Sequence, residues 1–401
     1  MDRLVGLAAR AGFTMLRCDS LAGKNERLAT NEKEAKLGQD ILRQELEIFR
    51  RHGIGADLKF PFWPSCFVGD TLALNEPEFA VWDGKLDDLI ESHVKPAGTA
   101  VAMIELDNEP AHQEFWSGTR EQYQWLFEHA RKKILAANPA MLVVHGGTCP
   151  PGADLGGEKL KDPASYETKK KAQEDWYLAF YRDMAAQGDL WAYHHHGALN
   201  GDALAWRAWE QDQLTKAGFK GRFLQTEGGS SAWSPDREVT TWAEVLQKIL
   251  ASWSRGEKGW LQYDLAFTTQ PSRYAEKKGW AIVDAHDFTP KFQYGAIAGL
   301  AHTMAGCTLD KTLVRDTSGR TVTLAVEFHH PRGRLVAWFG DAGATQLDVR
   351  SDASQAVFID AMGNERLTQQ GGRASLRFTP FPQYLLLVGA TKVEAGVEKG
   401  R

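Results

Sequence analysis

The sequence predicts an α/β protein: a (β/α)8 barrel followed by a small antiparallel β-sandwich. Three observations carry that reading. Short apolar runs alternate with amphipathic stretches as far as residue 267, a pattern that means parallel strands joined by helices. From about Lys311 the text changes to short alternating runs cut by turn signals. No glycine-rich phosphate fingerprint follows any strand, which weakens a nucleotide-binding doubly wound sheet.

The barrel strands read in order as "GFTMLRCD" (12–19), "GIGADLKF" (53–60), "AVAMIEL" (100–106), "MLVVHGG" (141–147), "LWAYHHHG" (190–197), "RFLQTEGG" (222–229) and "GWLQYDLAF" (259–267). Between them, apolar residues recur every three or four positions at 35–53, 120–139, 169–188 and 240–256, as on one face of a helix. Several of these helices end at Gly or Asn-Pro, as helix stops do. Repeats of about 30–50 residues suit an eight-fold barrel better than a shorter sheet. Yet only seven strands are counted, and the piece before the first, "RLVGLAARAG", reads as a helix. Barrel strand one is expected to be missing and the N-terminus truncated. "YGAIAGLAHTMAG" (294–306) reads as a linking helix. "TVTLAVEFHH", "RLVAWFG", "TQLDVRS", "QAVFIDAMG", "ASLRFTP" and "QYLLLVG" follow as strands, separated by "PRGR", "GDAG", "GNER" and "QGGR"; this is a sandwich pattern. The expected boundaries are 1–305 for the barrel, 306–393 for the sandwich and 394–401 for a tail.

Composition narrows the function. The formal net charge of -5 argues against a nucleic-acid surface, which needs a basic excess. No apolar run reaches the roughly 18 residues of a membrane span. The start carries no signal peptide, but with the N-terminus read as truncated, localisation is left open between cytoplasmic and secreted. Oligomeric state is not legible. Cys18, Cys66, Cys149 and Cys307 are scattered without a CxxC pair, so neither disulfides nor zinc is implied. Tryptophan is the outlier at 14 residues; most should be core, though an excess also suits a cleft where sugar faces stack on indoles.

Chemistry in a parallel barrel sits at the C-terminal ends of the strands. "AMIELDNEP" (102–110) ends an apolar run in Asn108, Glu109 and Pro110, and proline cannot continue the ladder. Glu227 ends another strand in "FLQTEGG". His194, His195 and His196 end a third. Two carboxylates at one barrel mouth are what glycoside hydrolysis needs, one to protonate the leaving oxygen and one to attack the anomeric carbon or activate water.

These residues resemble clan A of the glycoside hydrolases, retaining barrel enzymes with catalytic glutamates on strands four and seven. Asn108-Glu109-Pro110 matches the strand-four signature and Thr226-Glu227-Gly228 the strand-seven one. The interval between them accommodates three strand–helix units. Barrel plus sandwich resembles family 39 and its neighbours, families 30, 5 and 79. The resemblance implies a carbohydrate substrate, no cofactor and no metal. It implies Glu109 as acid/base, Glu227 as nucleophile and Asn108 as a hydrogen-bonding partner of the sugar 2-hydroxyl. The clan often has His-x-Tyr at the end of strand six; His194 and His196 stand there, the second where the tyrosine would be. The tryptophan near the end of strand eight has no counterpart in register. Trp260 is too early, and Tyr263 or Phe267 takes its place. Arg17 fits an arginine that the clan often carries at the end of strand two.

For each residue a structural reading stands beside the functional one. Arg17 is either a sugar contact or a buried carboxylate partner. Trp63 and Trp116 are either subsite platforms or packing. His194 and His196 share a strand face and point at the mouth, or are core histidines. His145 is a weaker site candidate. Glu105 and Asp107 read as structural salt-bridge partners. An acid must be protonated before it donates, so burial and the Glu227 charge are expected to raise the pKa of Glu109. Glu227 should be ringed by donors, with Arg17, Asn108 and His196 the candidates. The alternatives are an inactive or truncated carbohydrate-binding barrel and, less favoured, a metal-dependent hydrolase using "HHHG". Adjacent histidines on a strand face opposite ways, which weakens the metal reading.

Overall fold

The computed structural model describes residues 1–18, 32–112, 115–152, 155–196, 199, 201–230, 235–263, 265, 281–284, 287–318, 322–340 and 345–399. Helix α1 (Asp2–Arg10) leads into β1 (Met15–Cys18), the first strand among the described residues. There follow α2 (Glu32–His52), β2 (Gly55–Phe60), α3 (Glu76–Leu89), β3 (Val101–Leu106), α4 (Arg120–Ala137), β4 (Leu142–His145), α5 (Gly156–Lys161) and α6 (Pro163–Met184). Then come β5 (Leu190–His195), α7 (Gly201–Lys216), β6 (Arg222–Gly228), α8 (Pro235–Trp253), β7 (Trp260–Gln262) and α9 (Phe292–Thr303). All seven expected strands are present, and so are the helices between them.

The chain divides into two compact units. One comprises Met1–Ala9, Thr14–His195 and Ala208–Glu227, the other Arg10–Phe13, His196–Arg207 and Gly228–Arg401. In the first, β1 to β4 form a parallel sheet in chain order. A parallel bridge between Thr148 and Tyr193 continues the pairing to β5, with His194 N–H donating to Thr148 O at 2.7 Å. In the second parallel sheet β5 lies beside β6. Strand β3 is buried almost throughout, Met103, Ile104 and Leu106 being fully covered. That is the signature of a parallel strand with both faces packed, each such side chain contributing about 1.5–3 kcal/mol.

One face of these strands makes a single apolar cluster. Met103, Val144, Leu190 and Ala192 are its buried members, with Met15, Leu142 and Leu224 packed against them. Five strands, β1, β3, β4, β5 and β6, therefore converge on one layer. Aromatic rings fill the helix side: Phe62 meets Trp82, Trp116 and Tyr123 at ring-centroid distances of 6.0, 6.3 and 5.0 Å. Helix α4 is started by a capping box, Thr119 accepting from Gln122 N–H and Gln122 accepting from Thr119 N–H.

The second unit carries nine antiparallel strands: β8 (Thr308–Asp316), β9 (Thr323–His330), β10 (Gly333–Phe339), β11 (Thr345–Ser351), β12 (Gln355–Ile359), β13 (Glu365–Gln370), β14 (Arg373–Arg377), β15 (Gln383–Val388) and β16 (Val393–Lys399). They form a six-stranded sheet, β13-β12-β15-β10-β9-β8, and a three-stranded one, β14-β11-β16. Val336, Trp338, Leu385 and Leu387 of the first meet Leu347, Val349 and Leu376 of the second in one core, as sandwich sheets do. The residues after 393, expected as a tail, are instead strand β16, paired with β11 from Ser351↔Val393 to Thr345↔Lys399. Val393 is buried in the sandwich core, and "VEAGVEK" alternates small apolar residues with others as a strand does. No helix among the described residues is long and apolar enough to cross a membrane.

Candidate active site

The polar site lies one pleat beyond the apolar layer. Side chains two apart on a strand share a face. Met15 is followed by Arg17, Met103 by Glu105, Ala192 by His194 and Leu224 by Thr226. Those four polar residues interlock. Arg17 Nε lies 3.1 Å from Glu105 Oε2. Glu105 Oε1 accepts from Thr226 Oγ1 at 3.1 Å and from Gly147 N–H at 3.1 Å, and His194 Nε2 is 3.6 Å away. Glu105 is fully buried. Burial raises its pKa, but the Arg17 charge and the His194 imidazole outweigh burial and hold it below the usual range. The salt-bridge reading of Glu105 is met.

Glu109 and Asn108 stand on the turn that ends β3. The ladder runs on past that strand, with Asp107 N–H donating to Phe60 O and Gly146 N–H to Leu106 O, at 2.8 and 2.7 Å. Asp107 and Glu109 have φ of 72° and 39°. Left-handed backbone on non-glycine residues costs about 1–3 kcal/mol each and marks a site whose geometry is imposed by its surroundings. Gly146 makes room for the turn: a Cβ there would sit 2.6 Å from Asn108 N. A Cβ on Gly147 would strike the His194 ring. Tyr123 from α4 braces both strand ends, donating to Leu106 O at 2.9 Å and accepting from Gly146 N–H at 3.2 Å.

Three side chains converge on Glu109. His194 Nδ1 is 2.7 Å from Oε1, Cys149 Sγ donates to Oε1 at 2.8 Å, and His112 Nδ1 is 3.1 Å from Oε2. Burial pushes the carboxyl up. The hydrogen bonds and charges of His112 and His194 more than reverse that and hold it well below the usual carboxylate range. The expected upward shift is therefore corrected. Sequence shows Glu109 and its burial but not the two imidazoles folded against it. His194 is fully buried, which lowers its pKa, but Glu227, Glu105 and Glu109 surround it and raise it to about 9.

Glu227 ends β6. Arg17 Nη1 donates to its Oε2, Arg17 Nη2 donates to Asn108 Oδ1 at 2.9 Å, and His194 Nδ1 lies 3.8 Å from Glu227 Oε2. Arg17 is thus a buried carboxylate partner, and it ties Asn108 to Glu227. His196 and Tyr263 belong to the second unit. There their rings meet edge-on at 5.3 Å, and Tyr263 N–H donates to Gly228 O at 2.8 Å. Phe267 lies outside the described residues. Trp116 is 2 % exposed, its Nε1 donating to Thr119 O at 2.9 Å; it is a packing residue, with no ring face left for a ligand. Trp63 is half-buried, with Lys85 Nζ 5.7 Å from its ring centroid. His145 is buried against Trp191, and burial lowers its pKa to about 4, so it is a neutral core histidine.

His112 and Cys149 are neighbours of Glu109 that sequence reasoning missed. Both carried a signal: His112 lies three residues beyond Glu109, and Cys149 follows the end of β4.

No protein-family model matches the chain, and no curated protein matches it. Solved structures do. A family 39 glycoside hydrolase from Bacteroides cellulosilyticus WH2 superposes with a TM-score of 0.64 at 16% identity, covering 96% of this chain and 78% of its own. A glucosidase from Croceicoccus marinus gives 0.58 at 10% identity, with coverages of 95% and 90%. A family 39 β-xylosidase from Caulobacter crescentus gives 0.54 at 12%, with 96% and 91%. The chain shares its fold with these proteins.

Proposed function

We propose that this chain is a retaining β-glycosidase acting on oligo- or polysaccharides, with Glu227 as nucleophile and Glu109 as acid/base. One observation carries the reading: both carboxylates reach the same imidazole nitrogen. His194 Nδ1 lies 2.7 Å from Glu109 and 3.8 Å from Glu227. Laid end to end, those distances bring one oxygen of each group within about 6.5 Å. The inverting range begins near that value, and retaining pairs stand about 5–5.5 Å apart. The fold shared with family 39 enzymes supports the same class. The convergence of five strands on one apolar layer supports taking the two parallel sheets as parts of a (β/α)8-type barrel. On this reading residues 1–305 are the catalytic part and the accessory sandwich runs from 306 through β16, to Lys399.

Glu227, aimed by Arg17, attacks the anomeric carbon as the glycosidic C–O bond breaks. Glu109 gives the leaving oxygen its proton. At rest that proton sits on His194, one hydrogen bond from Glu109 Oε1, and transfers along that bond. The resting carboxylate suits the second step, in which Glu109 takes a proton from water as the water displaces Glu227 from the sugar. Asn108, fixed by Arg17, faces the sugar 2-hydroxyl.

The test is azide rescue on a panel of aryl glycosides, beginning with glucosides and β-xylosides. Glu227→Ala should abolish turnover of every substrate, with azide restoring an α-glycosyl azide. Glu109→Ala should spare dinitrophenyl glycosides relative to poor leaving groups and give a β-glycosyl azide. Reversed anomers would swap the two roles. Unchanged rates in both variants would put the site elsewhere and overturn the clan reading.

A further inference from the structure

We infer that Glu109, His112 and Cys149 form a binding site for a thiophilic divalent cation such as Zn2+, and that occupancy switches the enzyme off. The inhibitory half of this rests on the acid/base role of Glu109; the binding half does not. The three side chains offer one oxygen, one imidazole nitrogen and one sulfur, all within 4.8 Å of one another. Glu109 stands between the other two, with Cys149 Sγ 2.8 Å from Oε1 and His112 Nδ1 3.1 Å from Oε2. A tetrahedral zinc holds sulfur at about 2.3 Å, and nitrogen and oxygen at about 2.0–2.2 Å. Its ligand atoms are then roughly 3–3.7 Å apart, so only small side-chain rotations are needed.

Each ligand is already braced. Cys149 N–H donates to Tyr177 Oη at 3.0 Å. His112 N–H donates to Glu109 O at 2.9 Å, and its carbonyl accepts from Phe115 and Trp116, both at 3.0 Å. The His112 ring stacks on Phe115 at 6.5 Å. Glu109 keeps 11% of its side-chain surface exposed, against 6% for His112, so an ion arrives past the carboxylate. The donor set selects the metal: thiolate with imidazole favours Zn2+ over Mg2+ or Ca2+, which require oxygen. On binding, the thiol loses its proton to water, because the thiolate is the ligand form. Water fills the fourth position. With an oxygen on the metal, Glu109 is held as a metal-bound carboxylate and no longer carries a proton to the leaving oxygen.

The test uses the purified full chain. Titration with Co2+, a spectroscopic stand-in for Zn2+, should produce a thiolate-to-metal charge-transfer band at one ion per chain, which Zn2+ displaces. Cys149→Ser should lose the band and weaken Zn2+ binding at least about tenfold by calorimetry. His112→Gln keeps the thiol and serves if the first variant does not fold; it should weaken binding similarly. No band in the wild type, or a band that survives Cys149→Ser, overturns the site. Zn2+ should also inhibit aryl-glycoside hydrolysis reversibly by chelator, with sensitivity lost in Cys149→Ser. A wild-type band with undiminished turnover at saturation overturns the switch and the acid/base role of Glu109 while the site stands. A protein inactive on every glycoside fails the proposed function alone, because the band still decides the site.

Discussion

Arg17 commits all three of its nitrogens, to Glu105, Glu227 and Asn108. Only a planar guanidinium spans three such partners at once; lysine offers a point charge. Arg17→Lys should keep the fold and lose turnover on the order of a hundredfold, because Glu227 and Asn108 drift from their bearings. Steady-state kinetics on an activated glycoside would show it, and a rate within a few-fold of wild type would remove Arg17 from the machinery. His194 makes a second prediction. Its pKa, raised to about 9, belongs to a coupled group with Glu109, so the rate reports the macroscopic value of the pair. The proton needed for the first step is present below that pH and lost above it. The basic limb of kcat/KM should therefore fall near pH 9. In His194→Gln the limb should move down by more than about one unit; an unmoved limb would place the proton elsewhere.

Strand ends, more than strand bodies, build this site. β3 ends in a left-handed turn at Asp107 and Glu109, β4 ends in two glycines, and α4 sends Tyr123 between them. Gly146 carries the closest approach, at 2.6 Å from a would-be Cβ to Asn108 N. Gly146→Ala must push one strand end off the other. The expected cost is about 1–3 kcal/mol of stability, as in other overpacked sites. Activity should fall with it, since Glu109 rides on the displaced turn. A urea melt and a rate measured on the same sample decide it; a stable variant with wild-type activity would mean that the turn yields freely.

Buried charge gives the whole molecule a particular dependence on pH. Glu105 and Glu109 are held below their ordinary 4.5, so their contribution is present above about that pH and lost as pH falls through the folded values. His194 is raised from 6.5 to about 9, so its contribution is full below 6.5 and lost as pH rises through 9. Lys248 in the second unit opposes it. Burial lowers that amine to about 7, where it donates to Gly229 O and Ser230 Oγ at 2.6 and 2.8 Å, and it adds stability as pH rises from there. The cleaner quantity is the difference in urea midpoint between wild type and His194→Gln. That gap should be widest near pH 6 and close as pH passes 9, because Lys248 is common to both proteins. A gap that widens with pH would reverse the assigned sign.

The sequence alone determined the periodicities and the identities at strand ends. Alternation of apolar runs and amphipathic stretches placed β1 to β7 and the helices α2, α4, α6 and α8, because burial of a strand or a helix face leaves its period in the text. Asn108-Glu109-Pro110 and Thr226-Glu227-Gly228 were legible because proline and glycine mark where a strand must stop. β16 was missed although Val393, Ala395 and Val397 alternate in "VEAGVEK"; with small apolar side chains the period is faint. Tertiary structure alone decided who touches Glu109. His112, Cys149 and His194 come from three different segments, and the ionisation of a buried carboxyl is set by such neighbours within a few ångströms. Burial was readable from the strand; the two imidazoles that reverse its effect were not, because distance in space is not encoded in the spacing of residues along the chain.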